Sequence, residues 1–320
     1  MRVIVSGGTG FVGKRLVRSL AERGDDVVVL TRGEAHGSPA LGARPSCCRG
    51  AGKVELRTWT PEQSGEWQDV VDGADAVVHL AGAGVIDERW TPQRREILRS
   101  SRIASTKLLA EAVARAKKKP RAFVSCSAVG YYGIKTGDAV LDETSPPGDD
   151  FLAQLVVDWE KAASPARDAG VRTCHPRIGI VLGHGGGALE KMLPWFRAYV
   201  GGPVGDGQQW VPWIHMVDTV GALEHAIGSD ALDSAYDVTA PEPVTMNTLA
   251  QTLAEELGRP CAFRVPGFAV RLAMGDAAEA VLTGQRAIPK RLVESGYAFV
   301  FPELRSALAD LVHPPASVMV

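Results

Sequence analysis

Cysteine is scarce in this 320-residue sequence: there are five, an odd number, with no CxxC pair and no Cys/His ladder at zinc spacing. That argues against a bound structural metal, and sparse thiols fit a reducing compartment. Cys47 and Cys48 are adjacent and read as two loop thiols. Long apolar runs are also missing, none approaching the roughly 18 residues that span a bilayer. Met1-Arg2 passes through Val3-Ile4-Val5 straight into glycines, leaving no h-region of a signal peptide. No targeting segment is therefore expected, and the location expected is intracellular, in the cytoplasm. Nor is there an excess of positive charge: Lys plus Arg number 35 and Asp plus Glu 37, a net charge of −2. Nucleic acid and anionic membrane surfaces, which need a basic patch, are poor partners for such a chain. A small-molecule substrate is the expected partner. Internal repeats and low-complexity tracts are absent, and the length is enough to bury a core without metal or disulfide staples.

The sequence does carry a βα rhythm. Arg2 to Ser6 is a short apolar run ending at glycine, which suits a strand buried on both faces. Phe11 to Arg23 has apolar residues at helical spacing, stopped by Gly24. Further strands are predicted at Val27 to Leu30, Val54 to Trp59, Ala74 to Leu80, Ala122 to Cys126 and Val171 to Val181. Helices are predicted at Arg94 to Ala116, Phe151 to Ala163, Leu189 to Tyr199, Thr248 to Leu257 and Phe268 to Leu282. Residues 33–53 lack periodicity and read as a loop. The fold class expected is α/β: a doubly wound parallel sheet over residues 1–240, with a smaller C-terminal lobe over 241–320.

Between the first strand and the first helix lies Gly7-Gly8-Thr9-Gly10-Phe11-Val12-Gly13. Gly7, Gly10 and Gly13 let backbone approach a pyrophosphate, while the helix N-terminus offers free N–H groups and positive dipole to the phosphates. At the tip of the second strand, where such folds read the adenosine ribose, the sequence is Leu30-Thr31-Arg32-Gly33. It has no carboxylate for a 2′-hydroxyl, and it has an arginine able to pair with a 2′-phosphate. NADP(H) is therefore the cofactor expected, in preference to NAD(H).

These motifs, with His79-Leu80-Ala81-Gly82 and Trp213-Ile214-His215-Met216-Val217-Asp218, resemble the sugar-nucleotide epimerase/dehydratase branch of the short-chain dehydrogenase/reductase superfamily. Arg89-Trp90-Thr91-Pro92, Gly130-Tyr131-Tyr132-Gly133, Gly185-Gly186-Gly187 and the stretch from Leu282 to Leu292 resemble an atypical subgroup, an epimerase family whose own C-terminal part falls at about 265–313. The resemblance implies a cofactor site made of Gly7, Gly10, Phe11, Val12 and Gly13, with Thr31 and Arg32 at the adenosine phosphate. Leu80 and Ala81 would lie beneath the adenine–ribose half, Glu96 and Arg102 would face it from a helix, and Val181 would border the nicotinamide.

The usual catalytic set of this superfamily is a Ser/Thr on the fifth strand and Tyr-x-x-x-Lys on the following helix, where the lysine holds the ribose and lowers the tyrosine pKa. Ser127 matches the hydroxyl. Aligning the helix by Asp158-Trp159-Glu160-Lys161 puts Leu152 in the tyrosine position and Val156 in the lysine position, and neither ionises. Tyr131 and Tyr132, just past the fifth strand, are the candidate substitutes. His79 reads as a core histidine and Asp218 as a helix N-cap. Two readings stay open: an NADP(H)-dependent oxidoreductase or epimerase acting on a small carbonyl or nucleotide-linked substrate, and a cofactor-binding sensor or assembly protein that has lost catalysis.

Overall fold

A computed structural model describes residues 1–33, 50–134 and 136–313. Of the loop expected over residues 33–53, residues 34–49, with Cys47 and Cys48, lie outside the described residues. The chain opens with β1 (Arg2–Ser6), α1 (Phe11–Glu22), β2 (Asp26–Thr31), β3 (Val54–Thr58) and β4 (Ala76–His79). Next come α2 (Pro92–Arg115), β5 (Ala122–Ser125), α3 (Phe151–Lys161) and β6 (Arg172–Ile178). After these follow β7 (Ile180–Leu182), α4 (Gly187–Arg197), β8 (Trp213–His215), α5 (Met216–Gly228) and β9 (Ser234–Val238). The last helices of eight or more residues are α6 (Met246–Leu257), α7 (Gly267–Met274) and α8 (Leu304–Val312).

The main sheet runs β9-β6-β5-β4-β1-β2-β3, every neighbouring pair parallel. β1 is interior, as its apolar run requires. Its alternating side chains feed two cores: Val3 and Val5 pack with Leu16, Val17 and Leu20 of α1 and Leu223 of α5. Ile4 packs on the opposite face with Val28, Phe123, and Leu109 and Val113 of α2. Helices on both faces make the sheet doubly wound, and strand order reverses between β1 and β4. A crevice at that switch point, at the carboxyl ends of the strands, is where such sheets bind ligands.

The smaller lobe has its own core, in which Leu182, Leu189, Phe196 and Trp213 meet Leu249, Leu253, Ala307 and Leu308. Among the described residues no helix is long and apolar enough to cross a membrane.

Three local expectations need correction. The run from Val171 to Val181 is two strands, because Gly179 passes so close to Pro212 that a Cβ there would lie 2.0 Å from its carbonyl oxygen. Past that point β7 leaves the main sheet and pairs with β8. Phe268 to Leu282 is broken after α7 by a 3₁₀ turn, Gly275–Ala278, and resumes only over Glu279–Leu282. Asp218 is not an N-cap: the cap of α5 is His215, whose Nδ1 accepts from Val217 N. The Asp218 carboxylate instead accepts from Val300 N at 2.7 Å and Phe301 N at 2.9 Å, pinning the C-terminal segment to α5.

Candidate functional site

The first βα turn is built around side chains that are missing. Gly7 has φ +72° and rests on the Leu80–Ala81 peptide, 2.7 Å from where a Cβ would sit. A Cβ on Gly13 would lie 2.1 Å from Gly7 O. Gly10 N donates to Gly7 O at 2.9 Å, closing the turn. No side chain caps α1, so the N–H groups of its first turn are open to an anion. The geometry thus gathers Gly7, Gly10, Gly13, Leu80 and Ala81 at the switch point. The ring of Phe11 stands beside the loop before α4: Cβ atoms on Gly186 and Gly187 would lie 2.7 and 2.8 Å from it. Val181 is half-buried in β7, and its carbonyl oxygen borders the same glycine loop. Thr31 ends β2, half-buried, and Arg32 follows it, exposed.

α2 separates the two residues assigned to it. Its buried stripe runs Arg94, Leu98, Arg102, at i, i+4, i+8, whereas Glu96 lies on the exposed side, about 200° around the helix from Arg94 and from Leu98. Arg102 Nη2 donates to Ala83 O at 2.8 Å and Arg94 Nη2 to Gly84 O at 2.7 Å. Both arginines therefore hold the loop after β4. Burial, aided by the charge of Arg94, lowers Arg102 to a pKa of about 10. His79 is wholly buried between Ser6 Oγ at 2.5 Å and Ser105 Oγ at 3.1 Å. Burial, with the nearby Arg102 charge, depresses its pKa to about 3, so it is a neutral core residue.

Past β5, Ser127 is buried and donates to Glu160 Oε1 at 2.6 Å. Glu160, on α3, also takes a two-pronged pair from Arg177 of β6: Nε to Oε1 at 2.8 Å and Nη2 to Oε2 at 3.0 Å. The guanidinium lies 3.3 Å from the centre of the Tyr131 ring. Tyr132 is buried, with its hydroxyl donating to Asp237 Oδ2 at 2.7 Å and accepting from Arg177 Nη1 at 3.3 Å. Burial and the Asp237 carboxylate push the Tyr132 phenol far above its usual range. Burial likewise raises Asp237, whose backbone N–H is held by Glu143 Oε1 at 2.9 Å. Tyr131 is only half-buried, and its hydroxyl has no hydrogen-bond partner among the described residues. A Cβ on Gly130 would lie 3.8 Å from Leu152 Cβ and 3.9 Å from Val156 Cγ2. Two aliphatic side chains thus stand beside the loop that carries Tyr131.

Glu160, Arg177 and Asp237 are the residues that sequence reasoning missed. The signal available was a charge inside an apolar stretch: Arg177 within the strand run, and Glu160 next to the buried Trp159. Among the described residues no group of three or more His, Cys, Asp or Glu is placed to hold a metal ion.

Comparison with known proteins places this geometry. The model of the NAD dependent epimerase/dehydratase family matches residues 3–238, and a model described as a domain of unknown function matches residues 265–311. An epimerase family protein from Arabidopsis thaliana, the chloroplastic SDR39U1 homolog, is 37% identical over 98% of this chain and 87% of its own length. The crystal structure of human epimerase family protein SDR39U1 (isoform 2) with NADPH superposes with a TM-score of 0.85 at 35% identity, covering 98% of this chain and 100% of that one. A nucleoside-diphosphate sugar epimerase from Corynebacterium glutamicum gives 0.76 at 32% identity, over 98% of this chain and 58% of that one. The similarity runs along 98% of the chain, which belongs to the NAD dependent epimerase/dehydratase family, among its epimerase family proteins.

Proposed function

We propose that this chain binds NADP(H) at the switch point and is an oxidoreductase or epimerase acting on a small carbonyl or nucleotide-linked substrate. The observation that carries the proposal is the cradle itself. The space a Cβ of Gly13 would need is filled by Gly7 O, and the uncapped N-terminus of α1 lies directly after it. At Gly7 and Gly13 the close neighbours are backbone atoms, and such close backbone approach is what a pyrophosphate requires. Gly7, Gly10, Phe11, Val12 and Gly13 would hold the phosphates, and Leu80 and Ala81 would border the adenine–ribose half. Thr31 and the solvent-exposed Arg32 would take the 2′-phosphate, Arg102 would position the loop after β4, and Val181 would border the nicotinamide. Glu96 lies on the exposed side of α2, away from the buried stripe of Arg94 and Arg102. The NADPH in the human SDR39U1 structure supports the choice of cofactor. When bound, the nicotinamide supplies a hydride or accepts one.

Ser127 and Tyr131 are the groups proposed to handle the proton. Tyr132 is committed to Asp237 in the interior, whereas the Tyr131 hydroxyl has no partner among the described residues and its ring lies against the Arg177 guanidinium. The second reading, a cofactor-binding protein without turnover, is favoured by Leu152 and Val156, the aliphatics in the tyrosine and lysine positions. Deuterium transfer from C4-labelled NADPH to a panel of carbonyl compounds separates the two. Transfer by the wild type that falls by about 10²–10⁴ in Tyr131→Phe, with NADPH affinity intact, supports the catalytic assignment. Tight NADPH binding with no transfer to any compound supports the binding-only protein.

A further inference from the structure

An open cleft of about 530 Å³ lies against the loop after Tyr131, between the main sheet domain and the C-terminal lobe. Trp90, Ile134, Phe151 and Leu152 line it, together with the charged side chains of Arg95, Arg271, Asp150, Asp276 and Glu279. Its polar side chains are already engaged. Asp150 caps α3 through Leu152 N and Ala153 N and also accepts from Ile134 N at 2.8 Å. Arg95 pairs with Asp276 at 2.7 Å, and Arg271 with Glu279 at 3.1 Å. The Trp90 indole N–H donates to Val85 O at 2.8 Å. The Trp90 and Phe151 ring centres lie 5.5 Å apart, the rings tilted by 59°. Arg95 lies over the Phe151 ring, 4.9 Å from its centre.

We infer that this cleft takes a flat, apolar carbonyl compound rather than a sugar nucleotide. A sugar presents many hydroxyls, and burying each without a new partner costs free energy. Hydroxyls here would have to share Asp150 with the α3 cap, and Arg95, Arg271, Asp276 and Glu279 with their ion pairs. A planar apolar molecule needs none of those groups. It gains contact with Trp90, Phe151, Leu152 and Ile134, and aromatic pairing adds to the burial. Leu152 strengthens the preference, because it puts an aliphatic side chain where the superfamily pattern has a phenol. The inference narrows the substrate class of the proposed function and rests on the cofactor occupying the switch point.

The test titrates NADP⁺-loaded protein with 2-naphthaldehyde and, separately, with UDP-glucose, reading tryptophan fluorescence and confirming by equilibrium dialysis. The expected result is saturable binding of 2-naphthaldehyde, at least about tenfold tighter than UDP-glucose, and weakened about tenfold by Phe151→Ala and by Trp90→Leu. Tighter binding of UDP-glucose, or unchanged 2-naphthaldehyde affinity in both variants, overturns the inference. Should either variant fail to fold, the wild-type comparison of the two probes decides alone. NADPH affinity measured on the same samples keeps the two proposals apart. Failure of NADPH to bind sinks the cofactor assignment, whereas NADPH binding without 2-naphthaldehyde binding sinks only the substrate class.

Discussion

Replacing Glu160 by Gln removes one charge from the buried network and leaves its shape nearly intact. Arg177 and Glu160 have side chains only 4% and 14% exposed, so this pair cannot be discounted as a surface ion pair. Burial alone would pull the Arg177 guanidinium down, but Glu160 outweighs it and holds the arginine above its usual value. With the carboxylate gone, a buried guanidinium loses its two-pronged partner, and the Asp237 carboxyl is linked to it through the Tyr132 hydroxyl. Breaking a buried pair from one side costs about 3–5 kcal/mol. Removing both ends, as Glu160→Met with Arg177→Met, leaves no orphaned charge and is expected to cost less than the single change. Guanidinium unfolding followed by tryptophan fluorescence and far-UV circular dichroism measures both, with coincidence of the two probes checking two-state behaviour. A loss below about 1 kcal/mol for Glu160→Gln, the size seen for exposed pairs, would refute the reasoning, as would a double variant as destabilised as the sum of its singles.

Gly13→Ala is expected to lower stability by about 1–3 kcal/mol and NADPH affinity by at least about tenfold, because its Cβ collides with Gly7 O. Gly228→Ala, where a Cβ meets nothing within 4 Å, should leave both measurements within error. His79, held near pKa 3 against 6.5 when unfolded, is neutral in the folded chain, so the unfolded state binds the extra proton between those values. Its contribution is complete above about pH 6.5 and is lost on acidification at about 1.4 kcal/mol per unit, roughly 2 kcal/mol by pH 5. The His79 ring proton shifts should not move between pH 8 and pH 5, and an ordinary titration near 6.5 would contradict this.

The parts of the fold that could be read beforehand are those written in consecutive residues. The apolar run at Arg2 to Ser6, the glycines behind it and the amphipathic α1 each carry a local reason for their structure, and together they locate the cradle. Where long-range contacts decide, the local signal fails. Nothing near Gly179 announces that Pro212 will press on it and carry β7 into another sheet. Asp218 sits three residues after His215, a plausible cap by residue type, yet its carboxylate is drawn to the backbone at Val300 and Phe301, far along the chain. At Glu96 helix phase matters: the buried face of α2 is set by Arg94, Leu98 and Arg102, and a two-residue offset turns the Glu96 side chain to the exposed side. The tie between Ser127, Glu160 and Arg177 exists only once β5, α3 and β6 are neighbours.

The most direct test of cofactor recognition is a fluorescence titration of NADPH and NADH against the wild type and Arg32→Ala. A charge-assisted pair to the 2′-phosphate is worth about 1.5–3 kcal/mol, or about one to two decades in affinity. The wild type should bind NADPH more tightly than NADH by that factor. Arg32→Ala should lose the preference by weakening NADPH while leaving NADH unchanged. Equal affinities in the wild type, or an NADPH affinity that does not change when Arg32 is removed, would contradict the assignment of NADP(H) to this site.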